Sequence, residues 1–252
     1  MQWADTGFVL GTRRHGESAL IVELLTRERG RHAGLVRGGQ TPRRRALLQP
    51  GNEIAAAWRG RLAEQLGTLD CELIAPHAAR FLDNPDRLAA LNAAVELLLA
   101  ALPEREPHPD CHASFAALLG AFESTTPSTA DWASAYVVWE CELLASVGFG
   151  LDLARCAVSG TNQDLAYVSP RTGRAVSREI GAPYNDRLLP LPEFLWRPGV
   201  PATPAGIVAG LNLTRHFLRR HVLEPQGKQL SEARERLFER MRRLAGSAMF
   251  ML

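Results

Sequence analysis

Three consecutive arginines, Arg43, Arg44 and Arg45, follow Arg37 across a short Gly/Pro segment, and they offer the plainest chemistry in the chain. A guanidinium is planar, permanently charged, and carries a fork of N–H donors that matches phosphate oxygens. Gly38, Gly39 and Pro42 break regular periodicity, which predicts an exposed, adaptable turn rather than a helix. From such a turn several arginines can reach one phosphate backbone together. The bland alternative is a solvated loop whose charge only aids solubility. Arg13 and Arg14, beside the turn at Gly16, are the second candidates for nucleic-acid contact. Arg27, Arg29 and Arg31 come third, because Glu28 dilutes their charge.

Other chemistry is hard to find. The sequence has no Gly-rich phosphate loop ending in Lys and Ser or Thr, no GxGxxG after a strand, no HExxH and no GxSxG. His108, Cys111 and His112 cluster locally but lack a second ligand pair, so neither a metal nor another cofactor is expected there. Cys156-x-x-Ser159 and Ser177-x-x-Ile180 flank a turn-rich β segment with the layout of a zinc ribbon. Only one of the four positions keeps a thiol, so a tetrahedral site cannot close. The residues alone suggest no enzyme.

The elements around the arginines set their context. The 252 residues carry a net charge of only +2, yet the first 62 hold 11 arginines against 5 carboxylates. This asymmetry points to a basic front and an acidic remainder. Residues 6–12, 18–26, 32–37, 52–59 and 66–74 read as short strands separated by turn residues, and five such strands suit a small closed sheet of OB type. Trp3, Phe8 and Trp58 are its available rings, read first as core or rim packing. After Asn84-Pro85 the period becomes helical, through Leu102, then Phe115 to Phe122, then Trp132 to Val147 with Gly148 as a left-handed cap. An irregular insert follows at about 154–182, and two more helices are expected at 205–221 and 231–245. In the last, Leu237, Met241 and Leu244 should face inward, while Arg234, Arg236, Arg240, Arg242 and Arg243 alternate with carboxylates on a solvated face. His216 and His221, five apart, should not share a helix face. No apolar run is long enough to span a membrane, and the first residues lack the pattern of a signal peptide. The four cysteines show no paired spacing, so a reduced, cytoplasmic protein is expected. The fold class expected is therefore α+β multidomain: a five-stranded barrel over 1–80, then a helical domain over 81–252 with a ribbon-like insert lacking its ligands.

The chain resembles the bacterial RecO recombination-mediator family over almost its whole length. The resemblance rests on the five-strand layout, the 35–45 basic segment, and Leu143-Leu144-Ala145-Ser146-Val147-Gly148-Phe149-Gly150-Leu151-Asp152-Leu153 before Cys156. It rests also on the 167–177 ribbon and on Arg215-His216-Phe217-Leu218-Arg219-Arg220-His221-Val222-Leu223. It implies an OB-fold, a helical domain and, in many members, a zinc ribbon, from which this chain departs at Ser159, Ser177 and Ile180. It implies a non-catalytic, nucleoid-associated adaptor that binds single- and double-stranded DNA and anneals complementary strands. Such an adaptor works with RecR and RecF to load RecA onto strands coated by single-stranded DNA-binding protein. It further implies that Arg37, Arg43, Arg44 and Arg45 contact DNA, and that the helical domain holds the coating protein's acidic tail. Arg215, Arg219 and Arg220 are the candidates for the rim of that second site. The competing expectation is an interaction scaffold whose barrel binds a protein, with incidental DNA contact.

Overall fold

A computed structural model describes residues 1–124 and 128–249. They form two compact units, Met1–Leu119 and Gly120–Leu252.

The first unit is built on a ring of five strands: β1 (Gln2–His15), β2 (Ala19–Thr26), β3 (Gly30–Val36), β4 (Glu53–Arg59) and β5 (Thr68–Ala75), closed in the order β1-β2-β3-β5-β4. Closure depends on the length of β1. Its first half pairs with β4, from Gln2 opposite Arg59 to Phe8 opposite Glu53. Its second half pairs with β2, from Gly7 opposite Thr26 to His15 opposite Ala19, with a bulge between Val9 and Gly11 that bends the strand from one neighbour to the other. Only β3 and β5 run parallel, and they share a single pair, Leu35 with Thr68.

Alternation decides what fills the ring. Val9, Leu20, Val22, Leu24, Ile54, Ala56, Trp58, Leu69 and Cys71 form the buried cluster, with Trp3 stacked on Trp58 at a centroid distance of 5.9 Å. Phe8 points the other way, against His112 and Phe115, with ring centroids 4.9 and 5.1 Å away. Its partners lie on α4 (Pro109–Glu123), which follows α2 (His77–Arg80) and α3 (Pro85–Ala101). Asn84 caps α3 by accepting from the Arg87 amide at 3.0 Å. A six-residue helix, α1 (Pro42–Leu47), lies between β3 and β4.

In the second unit, α5 (Thr129–Ser146) begins with the Ser128 amide donating to Asp131 at 2.9 Å and ends at Gly148, which holds φ +89°. The insert forms a three-stranded sheet in the order β7-β6-β8, from β6 (Leu165–Val168), β7 (Ala175–Ser177) and β8 (Leu189–Pro190), with α6 (Arg178–Gly181) between the last two. Then come α7 (Pro204–Phe217), a π-helical segment (Leu218–Leu223) and α8 (Glu232–Met249). A Cβ at Gly210 would lie 2.7 Å from Val137 Cγ1, so glycine is what lets α7 approach α5 so closely.

Two expectations fail in α8. Leu244 is exposed rather than inward. Arg234 is not on a solvated face: it is 1% exposed and forms a forked ion pair with Glu140, at 2.5 and 2.9 Å, while its guanidinium also donates to the Leu211 carbonyl. Thr214 donates to the same carboxylate at 2.5 Å. Burial alone would lower the Arg234 pKa, but the Glu140 charge more than reverses it. The pair joins α5, α7 and α8 around one carboxylate.

Candidate nucleic-acid interface

The segment after β3 turns at Gly38, with φ +64°, and Thr41 then leads into α1 with Pro42 in its first turn. The triplet is therefore helical, contrary to the turn expected from its Gly and Pro residues. Proline breaks helices internally but fits the first position, where its missing N–H is not needed. The far end of α1 is held by Asn52, whose side-chain amide donates to the carbonyls of Ala46 at 3.1 Å and Leu47 at 3.0 Å. Its Oδ1 accepts from the Ala78 amide at 3.0 Å, and Leu48 is buried in the barrel core. Asn52 was not among the sequence candidates, because its side-chain partners lie in two other segments, α1 and the start of α2.

The helical turn separates the three arginines. Arg43 and Arg45 are exposed and, among the described residues, make no ion pair or side-chain hydrogen bond. Arg44 is half-buried: it donates to the Cys71 carbonyl at 2.9 Å and lies 3.6 Å from Asp70. It clamps α1 to β5. Together Arg43, Arg44, Leu47, Leu73 and Leu82 help to line a groove of about 1250 Å³ beside α1.

Arg37, Arg13 and Arg14 are likewise exposed and unpaired among the described residues. Pairing across the sheet explains their proximity. Arg14 lies opposite Leu20, and Leu20 lies opposite Val36, the residue before Arg37. Two strand spacings amount to about 10 Å. Gln40 ties the two sets together by donating to the carbonyls of Gly16 at 3.1 Å and Ala19 at 3.0 Å. Arg31, by contrast, is spent internally on Glu23 at 3.0 Å and Glu104 at 3.7 Å. One end of the barrel thus carries Arg13, Arg14, Arg37, Arg43 and Arg45 as free cations. No Phe, Tyr or Trp of this unit is exposed: Phe8 and Trp58 are buried and Trp3 lies against Trp58.

Two family profiles match this chain, "Recombination protein O N terminal" over residues 1–77 and "Recombination protein O C terminal" over residues 82–230. A DNA repair protein RecO of Rhodospirillum rubrum is 52% identical over 245 residues, which cover 96% of this chain and 97% of that protein. The protein of that name from Rhodospirillum centenum is also 52% identical, over 248 residues and 96% of each chain. That of Methylocella silvestris is 45% identical over 236 residues and 93% of each. The chain belongs to the RecO family. This is a family of DNA repair and recombination proteins.

The second unit of this RecO chain holds the remaining candidates. Arg215 pairs with Glu235 at 2.9 Å and lies 5.7 Å from the Phe238 ring centre, and Arg219 pairs with Glu224 at 3.2 Å. Both line a groove of about 820 Å³ with Leu230, Glu232 and Arg236. Arg220 is exposed and has no such partner among the described residues. The structure thus joins Arg215 and Arg219 in one groove, already neutralised, and leaves Arg220 outside it. Beside the three-stranded sheet of the insert, Cys156 and Ser177 meet, with the hydroxyl donating to Sγ at 3.6 Å. Burial pushes the Cys156 thiol up, but hydrogen bonds from Ser159 and Ser177 outweigh it and bring the pKa down to about 6. One thiol, two hydroxyls and Ile180 do not fit the zinc implied by other ribbons, and among the described residues no three His, Cys, Asp or Glu side chains converge as metal ligands.

Proposed function

We propose that this chain is a non-catalytic recombination mediator and strand-annealing protein of the RecF pathway. It binds single- and double-stranded DNA and acts with RecR to load RecA onto strands coated by single-stranded DNA-binding protein. The observation that supports this reading is the end of the barrel, where five exposed guanidiniums meet no carboxylate among the described residues. Guanidiniums held apart from internal partners are available to phosphates, and binding through them is sequence-independent and salt-sensitive. In this reading residues 1–80 are an OB-type DNA-binding domain and 81–252 a helical domain with a degenerate ribbon at about 154–182. Arg37, Arg43, Arg45, Arg13 and Arg14 contact the backbone, and Arg44 positions its neighbours. The groove of Arg215 and Arg219 receives the acidic tail of the coating protein, whose carboxylates would replace Glu235 and Glu224 as partners. Work on DNA places the protein in the cytoplasm at the nucleoid; no helix among the described residues is long and apolar enough to cross a membrane.

The test is titration of the purified chain with a fluorescent single strand at near-physiological salt, followed by mixing of two complementary strands. Binding and faster annealing are expected. An absence of both would sink the reading in favour of a protein-binding scaffold. That second reading has its own support in Leu73 and Leu82, which are 44% and 68% exposed beside α1.

A further inference from the structure

Single-stranded DNA presents bare base faces as well as phosphates, and proteins that hold it combine cations with exposed rings. The barrel unit offers cations but no exposed Phe, Tyr or Trp. In the second unit Phe149 and Tyr184 are exposed, and Phe149 heads a stack. Its ring lies 5.0 Å from that of His221 at an interplanar angle of 23°, and His221 lies 6.0 Å from Phe217 at 10°. Phe217 is buried and His216 meets it edge-on, so the ladder runs from the core outward to a ring that is 41% exposed.

Three local features build it. Gly148 in the left-handed region lets the Phe149 amide donate to the Leu144 carbonyl at 2.7 Å, which closes α5 and turns Phe149 out of its helix. Such a helix end often carries an apolar contact back to its own last turn; this ring lies on His221 and stays 41% exposed. His221, four residues after Phe217 and inside the π turn at Leu218–Leu223, lies parallel to its ring; π turns are rare and recur at functional sites. The tip of the β6–β7 hairpin approaches as well, since the Pro170 carbonyl lies 3.0 Å from His216 Nε2. Burial, then Arg220 and His216, keep the His221 pKa low, so its ring is neutral near pH 7. Beside the ladder, Arg171 at the hairpin tip and Arg220 are exposed and unpaired among the described residues.

We propose that Phe149, backed by His221 and flanked by Arg171 and Arg220, is a base-stacking platform for single-stranded DNA on the helical unit. This rests on the DNA-binding reading above. A flat ring beside free guanidiniums suits an unpaired base and its phosphate. An apolar peptide would seek a concavity, and Phe149 lines neither groove described above.

The test compares Phe149→Ala and Phe149→Tyr with the unaltered chain, on an oligo-dT strand and on a duplex of equal length. Phe149→Ala should weaken single-strand binding between about fivefold and about 150-fold, the range for one lost stacked base, and leave duplex affinity and the single-strand salt slope unchanged. Phe149→Tyr should bind as the unaltered chain does. Ultraviolet crosslinking of the unaltered chain to iodouracil-substituted strands should mark the peptide that contains Phe149, which holds the proposal testable even if the alanine variant folds poorly. Unchanged single-strand affinity in Phe149→Ala, equal losses on strand and duplex, or crosslinks that avoid this peptide would each overturn it. Failure of the unaltered chain to bind single strands would instead overturn the DNA reading itself.

Discussion

The division of labour within the arginine triplet makes the sharpest test of the barrel interface. Each phosphate neutralised on a single strand contributes about 0.7 to the slope of log affinity against log salt. With Arg13, Arg14, Arg37, Arg43 and Arg45 all engaged, the slope should be about −3.5, so raising salt from about 50 to about 200 mM should weaken binding about 130-fold. Removing Arg43 and Arg45 together should bring the slope to about −2.1 and the same loss to about 18-fold. Arg44→Ala should behave differently, because its guanidinium is engaged by the Cys71 carbonyl and Asp70. A charged donor to a carbonyl is worth roughly 1 to 2 kcal/mol in this half-exposed setting, so the variant should lose that much stability in urea unfolding while keeping its slope. Fluorescence anisotropy at four or five salt concentrations, with urea melts alongside, separates the two effects. If Arg44→Ala flattens the slope as much as Arg43→Ala, the clamp assignment is wrong; if the Arg43/Arg45 double variant leaves it untouched, so is the interface.

Further outcomes follow from the buried polar groups. Glu140→Gln should cost about 3 to 5 kcal/mol in urea unfolding because it strands a buried guanidinium, and adding Arg234→Met should restore most of that loss; a single-variant cost below about 1 kcal/mol would show that the pair is not load-sharing among its three helices. Cys156 should ionise near pH 6, as thiolate absorbance at 240 nm, whereas burial holds Cys71 and Cys141 up at about 12. Because the folded pKa lies below the unfolded one, this group's stabilisation is complete at alkaline pH and fades as pH falls toward 6. Ser177→Ala should move the titration upward; a titration that stays near pH 6 would refute the hydroxyl's role.

Much of the barrel was legible because alternation and turn residues are local signals. Leu20, Val22 and Leu24 on one face of β2, and Gly16 and Gly30 at its ends, mark a strand without reference to the rest of the chain. What escaped depends on distant partners. The helix at Pro42–Leu47 needs Asn52 to satisfy its last carbonyls, and the inward turn of Arg234 needs a carboxylate 94 residues away. The same holds for Phe149: Phe217 and His221, four apart, can meet on any helix, but no local signal announces that Phe149 stacks on them from a distant segment. Five candidate cations were readable as a compositional bias, whereas their freedom from carboxylates was not, since that depends on which acids fold back onto them.

The lone backbone pair between β3 and β5 has a consequence for self-association. From Leu69 to Ala75 one side of β5 has no neighbouring strand, and an unpaired edge invites a strand from another molecule. Arg44 occupies one carbonyl along it, and the exposed carboxylates of Asp70 and Glu72 place like charges where two such edges would meet. Two carboxylates beside a basic surface thus disfavour edge-to-edge pairing between copies of this protein.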